Sequence, residues 1–172
     1  MRMAMRWVVA AGVLLGGCSC SDKRASVAPL SEQERATLPT VSPEQLQSLL
    51  DAEKGKVIVL VVWSVRRPAC TAMFPKLGGL AAQGATIVAI NIDRVDDVRK
   101  KVLPLLDQHR PTFTNRVLAA GPEALAPFVG TDWSGQVPAL VVRDRAGQRV
   151  ATYYGEGALE KAAKQVRVLA QQ

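Results

Sequence analysis

The side chains best equipped for nucleophilic or metal chemistry in this chain of 172 residues are three cysteines, Cys18, Cys20 and Cys70, and one histidine, His109. Cys18 and Cys20 are separated by a single serine with no histidine nearby, so no metal-ligand spacing emerges and no metal is expected. Cys70 is set apart by what precedes it, Arg66-Arg67-Pro68-Ala69-Cys70. Proline is welcome in a first helical turn, which puts Cys70 in the opening turn of a helix. There the helix dipole, the free N–H groups and two guanidinium groups would favour a thiolate, the nucleophilic form of cysteine. Burial works the other way: a thiol turned into the core behaves as a small hydrophobe and keeps its proton. Arg66 and Arg67 also have two readings, an anion site at a helix N-terminus or exposed loop charges at the rim of a cleft. No phosphate-loop glycines stand beside them. His109 has no cysteine or acid partner in sequence and reads as the solvated end of a helix.

The elements that must hold these residues follow from periodicity. Val57 to Val62 is a continuous apolar, β-branched run and reads as a strand buried on both faces. Trp63 and Ser64 close it, and Pro68 opens a helix running to about Gln83, with a kink at Pro75 and a weak end at Gly78-Gly79. Upstream, Ser42-Pro43-Glu44-Gln45 is a helix start: serine cap, proline in the first turn, glutamine three residues after the cap. Leu46, Leu49 and Leu50 give that helix its apolar face, and Gly55 stops it. Ala85 to Ile92 is a second buried strand, after which Asp93 is placed to cap a helix from about Arg94 to Gln108, interrupted at Pro104. A short strand near Arg116 to Ala119 and a small helix from Pro122 to Phe128 follow. A third strand runs from Pro138 to Val142, Arg143 to Gln148 turn the chain, and Arg149 to Tyr154 return as the second arm of a hairpin. Ala158 to Ala170 is a last amphipathic helix with Leu159, Ala162, Ala163, Val166 and Leu169 inward. Strands joined by long helical crossovers call for parallel pairing.

Trp63, Cys70, Pro75 and Pro138, in this order of elements, resemble the thioredoxin superfamily, and especially the TlpA-like periplasmic thiol-disulfide oxidoreductases. The motif of that family runs W-x-x-W-C-x-x-C-x-x-E-x-P after the central strand. Trp63 matches its first tryptophan, Cys70 its second cysteine and Pro75 its closing proline. Arg66 stands at the second tryptophan, Arg67 at the attacking cysteine and Met73 at the acidic residue, so C-x-x-C has become R-P-A-C. Val137-Pro138 matches the cis proline of thioredoxin folds; a trans bond is the alternative, the cis form of X–Pro costing only ~0.5–1 kcal/mol. The resemblance implies an α/β, thioredoxin-like fold, a central mixed β-sheet with helices on both faces, over roughly Ser42 to Gln172. It also implies a binding cleft formed by Trp63, Arg66, Arg67, Pro68, Val137 and Pro138, with Trp133, Tyr153 and Tyr154 near its proline end; ordinary core or surface packing is the alternative for Trp63, Trp133 and the two tyrosines, and the one their residue types favour. Dithiol exchange needs one thiolate to attack and a second thiol to resolve the mixed disulfide. Here only the resolving position, Cys70, remains as a catalytic candidate. Met73 and the carboxylate-free strand Val57 to Val62 leave no group to shuttle protons. Two functions follow: a module that binds a peptide or protein partner in the cleft at Arg67 and Pro138, or a single-cysteine protein that forms mixed disulfides or senses oxidation through Cys70.

The N-terminus supplies the setting. Arg2 and Arg6 precede an apolar core from Trp7 to Leu15, a secretory signal pattern too short for a comfortable transmembrane helix. It ends Leu15-Gly16-Gly17-Cys18, which resembles the lipobox of bacterial lipoproteins. That resemblance implies lipidation of Cys18 and membrane lipid as a partner, in the bacterial cell envelope on the periplasmic side of the inner or outer membrane; an ordinary cleavable signal is the alternative. Residues 1–17 are then a signal peptide, 18–41 a lipidated N-terminus and flexible polar tether, and 42–172 the domain. Cys20 remains within reach of Cys70, although closing so long a loop onto a buried thiol disfavours that disulfide. The chain is 48% hydrophobic and 22% charged with a formal net charge of +7. Its basic residues are dispersed over several segments, which speaks against nucleic acid as a partner. No cofactor is implied.

Overall fold

The computed structural model describes residues 38–171; the signal pattern, Cys18, Cys20 and residues 18–37 of the expected tether lie outside them. Its centre is the apolar run read from sequence. Strand β2, Val57–Trp63, has all seven residues buried. It is flanked by β3, Ala85–Asn91, in parallel and by β5, Ala139–Arg143, in antiparallel. With β1 at Thr40–Val41, β4 at Thr114–Leu118 and β6 at Arg149–Tyr154, the six strands run in the order β1-β4-β3-β2-β5-β6. The first four are mutually parallel and the β5–β6 hairpin is antiparallel, a mixed sheet.

Because β2 is covered on both sides, its alternate residues serve two separate cores. Val57, Val59, Val61 and Trp63 join Cys70, Met73, Phe74 and the inward side of the helix Ala158–Ala170. Ile58, Leu60 and Val62 join Leu46 and Leu50 of α1, Pro43–Ala52, together with Phe128 and Trp133 on the opposite face. Helix α1 starts where its sequence demands: Gln45 N–H donates to Ser42 Oγ at 3.3 Å and Ser42 N–H donates to Gln45 Oε1 at 2.9 Å.

Three sequence expectations are corrected. The continuous helix from Pro68 to Gln83 is three pieces: α2 at Pro68–Met73, a 3-10 turn at Phe74–Lys76 and α3 at Gly78–Ala82. Pro75 has no N–H to send back to Thr71, so the α-helical ladder ends there rather than kinking. The segment after β3 also divides, into α4 at Val95–Asp97, a π turn at Val98–Val102 and α5 at Leu103–His109. Its N-cap is Arg94, without a side-chain cap, and Asp93 is buried instead of capping. Finally, the domain does not begin at Ser42. Leu38 and Val41 are buried, and β1 receives N–H bonds from β4 (Val117 to Pro39 O at 3.0 Å, Ala119 to Val41 O at 2.9 Å), so residues 38–41 belong to the folded unit and not to a tether. The remaining helix, α6 at Ala126–Val129, follows a 3-10 turn at Pro122–Leu125, and α7 is Ala158–Ala170.

Candidate functional site

Where β2 stops, the chain turns through Ser64 to Arg67 and enters α2 at Pro68, so the sequence elements do bring Arg67, Pro68 and Cys70 to one helix start. Arg67 is the N-cap residue, extended (φ −112°, ψ 113°) and without a side-chain cap bond. Its carbonyl accepts from Cys70 N–H at 2.9 Å, which closes the first turn. That turn aims the Cys70 side chain inward: its accessible surface is 0%, and it packs with Trp63, Met73 and Phe74. Burial pushes the thiol up from 9.0 to about 11; the Ser64 main chain opposes this, the Asp93 charge adds to it, and Arg67 opposes it least of the four. At neutral pH such a group is thiolate in only about one molecule in ten thousand. Between the two readings open at the sequence level, desolvation outweighs guanidinium proximity. Among the described residues Cys70 is the sole cysteine and has no disulfide partner; Cys20 lies outside them.

Arg66 does not line a cleft with Arg67. Its Nε donates to Asp97 Oδ2 at 2.8 Å and its terminal nitrogen bonds the same oxygen, while Lys101 Nζ stands 3.3 Å from Asp97 Oδ1. The Arg66 guanidinium, and then Lys101, hold the Asp97 carboxyl below its ordinary range. The exposed arginine therefore braces the loop against α4 and its charge is already countered. Trp63 is likewise corrected: it is fully buried, its ring centroid 4.7 Å from that of Phe74, which in turn lies 5.5 Å from Phe113. Alternation along β2 turns the tryptophan under α2, away from solvent, and its indole N–H finds no partner among the described residues. His109 ends α5 half-buried, its ring 6.2 Å from Phe74, and is not simply solvated. Trp133 is a buried residue whose indole donates to Gln136 O at 2.9 Å.

The Val137–Pro138 bond is cis. Pro138 is buried at the mouth of β5, and the half-buried Val137 packs against both cores. Pro138 and Pro68 lie on one open groove of about 300 Å³ whose floor carries Met73 and Leu159. One wall is α2 and the 3-10 turn after it; the other is the β6–α7 loop Gly155–Gly157 and Glu160 of α7. The volume is at the small end for a ligand site. Of the six residues expected to form the cleft, then, Pro68 and Pro138 meet across the groove, Arg67 adjoins it at Pro68, Val137 sits behind it, and Trp63 and Arg66 are elsewhere.

Sequence reasoning missed a carboxylate. Asp93, two residues past β3, accepts from Ser64 Oγ at 2.5 Å, Val65 N–H at 2.8 Å and Asn91 Nδ2 at 2.7 Å. Ser64 Oγ also accepts from Arg66 N–H at 3.1 Å. The charge of this acid is felt at Cys70, and it arrives from the end of β3, whereas the sequence reading considers only Met73 and β2. Three donors occupy it, so its visible work is to hold the loop before α2. The signal was present in Asn91-Ile92-Asp93, polar residues ending an apolar run, but the parallel register Trp63↔Asn91 was needed to see what they face.

No protein-family model matches the chain, and no curated protein matches it in sequence. Solved structures do. The chain is similar to dsbF of MTB, solved in mixed oxidized and reduced forms, at 25% identity and TM-score 0.53 over 69% of this chain and 84% of that one. It is similar to a DsbF homologue from Corynebacterium diphtheriae at 21% identity and TM-score 0.58, covering 70% and 76%. A secreted Mycobacterium tuberculosis disulfide oxidoreductase homologous to E. coli DsbE gives 20% identity and TM-score 0.53, covering 81% of this chain and all of the other. The fold is thus thioredoxin-like, the architecture of thiol-disulfide oxidoreductases. Among the described residues no helix is long and apolar enough to cross a membrane.

Proposed function

We propose that this chain is a thioredoxin-like lipoprotein of the bacterial cell envelope that does not run the dithiol cycle and uses the Pro68–Pro138 groove to bind a peptide or protein partner. The observation that carries this reading is the state of Cys70: wholly buried, with its thiol pushed up to about 11, and with an arginine at the helix-cap position three residues before it. Disulfide exchange begins with attack by an accessible thiolate, and neither accessibility nor thiolate is provided. The same burial weighs against the second reading, a single-cysteine redox sensor. What favours a binding role is a groove lined by Pro68 and Pro138 with apolar surface from Met73 and Leu159, features that need no sulfur. The envelope setting and the lipid anchor rest on the resemblance of Leu15-Gly16-Gly17-Cys18 to a lipobox.

Insulin reduction by the purified full chain in detergent tests the reading: turnover at background, unchanged in Cys70→Ala, is the expected result. Turnover that disappears in Cys70→Ala would instead establish a working thiol. Radiolabelled palmitate incorporation, lost in Cys18→Ala, checks the anchor.

A further inference from the structure

The groove is polar in a second sense: its charges are sorted by wall. On the α2 side the charged lining residue is the cation Lys76 in the 3-10 turn after α2, and Arg67 stands exposed just ahead of Pro68. On the β6–α7 side they are the carboxylates Glu156 and Glu160, both exposed. Neither glutamate, nor Lys76 or Arg67, has an ion-pair partner among the described residues, in contrast to Arg66, Lys101, Lys54 and Lys56, which do. Two acids four residues apart, Glu156 in the loop and Glu160 in α7, on the wall of a chain with net charge +7 run against its overall balance. Between the walls, Met73 and Leu159 offer apolar surface.

We infer that the groove selects an extended segment carrying a basic side chain next to a small apolar one, the basic group meeting Glu156 and Glu160 and the apolar group resting on Met73 and Leu159. This deepens the proposed function and rests on it. An extended chain suits the site because it sends successive side chains to opposite sides, so a basic residue toward α7 leaves its neighbours facing the floor or the Lys76 wall. An acidic side chain in the neighbouring position, turned toward Lys76, would add to binding, and an acidic side chain against Glu156 would be repelled. Exposed charge pairs are individually modest and weaken with salt, so preference, more than tight affinity, is what the two carboxylates supply.

The test uses the full chain in detergent and fluorescein-labelled octapeptides of fixed apolar sequence in which one position is Lys, Gln or Glu. Anisotropy at low salt is expected to rank Lys over Gln over Glu, with about three- to tenfold between the extremes. Glu156→Lys with Glu160→Lys should reverse the ranking, and Ala72→Trp, which fills the groove from an exposed position, should abolish binding of all three. Equal binding of the three peptides, lost in Ala72→Trp, overturns the charge selection while leaving the groove as the binding site. Binding that survives Ala72→Trp, or no binding at all, overturns both.

Discussion

Two regions flank the same groove, and they differ in what they have kept. The entrance of β5 has the cis Val137–Pro138 bond, a buried proline and tight packing into both cores. The start of α2 has the right backbone, with Pro68 in its first turn and Cys70 closing that turn, but its side chains carry no reactive group to the surface. The first region is defined by shape and the second, in the enzymes it resembles, by chemistry. The strand–loop–helix geometry forms here with arginine at position 67 and with the Cys70 sulfur serving only as core packing. It is held by packing under α2 and by Asp93 bonding the loop from below.

The sharpest way to break this comparison is to return sulfur to the second region. Arg67→Cys in the full chain should raise insulin reduction from background by at least about tenfold, since an exposed thiol at a helix start next to a second thiol meets the requirements of exchange. Failure with a folded protein would mean that the shape of α2 alone does not supply the exchange reaction. Next in size is the packing itself: Trp63→Ala should cost about 3–5 kcal/mol by chemical denaturation. Trp63→Phe should cost far less, because it also removes an indole N–H with no partner.

Cys70 gives stability a pH dependence of its own. Its folded value of about 11 lies above the ordinary 9.0, so the unfolded chain loses the proton first as pH rises. The thiol's contribution is full below pH 9 and is lost through pH 11, a fall of roughly 2–3 kcal/mol that Cys70→Ala should eliminate. Asp93→Asn should cost about 1–3 kcal/mol at neutral pH by weakening the bonds to Ser64 and Val65. It should also lower the Cys70 value, because the Asp93 charge disfavours thiolate; alkylation rate against pH reads that shift. The smallest effect belongs to Arg66→Ala, whose side chain is exposed and whose half-buried partner Asp97 keeps Lys101; its denaturation midpoint should lie close to that of the parent.

Much of the fold was legible because its signals are local. The Ser42 capping box, the apolar run of β2, the hairpin arm Arg149–Tyr154 and the helix Ala158–Ala170 each declare themselves within one window of sequence. What was not legible depends on partners distant in the chain. β1 is two residues long and exists only because β4, more than seventy residues later, pairs with it. Asp93 and Asp97 join the loop before α2 through the β2–β3 register, and Trp63 is buried because alternation places it under a helix whose position the sequence did not state. The turn from β2 into a helix at Pro68 was legible; the break of that helix at Pro75 and the polar contacts formed between elements were not.

The strand order carries a mechanical consequence. The chain joins the sheet at β1, on the edge opposite to β6, while the groove lies on the β5–β6 side. A pull on the residues before Leu38 would load the β1–β4 pairing first, including the bonds from Val117 to Pro39 and from Ala119 to Val41, at the edge of the sheet away from Pro138. The domain thus has a two-residue edge strand where its N-terminal segment enters the sheet, at the edge away from the Pro68–Pro138 groove.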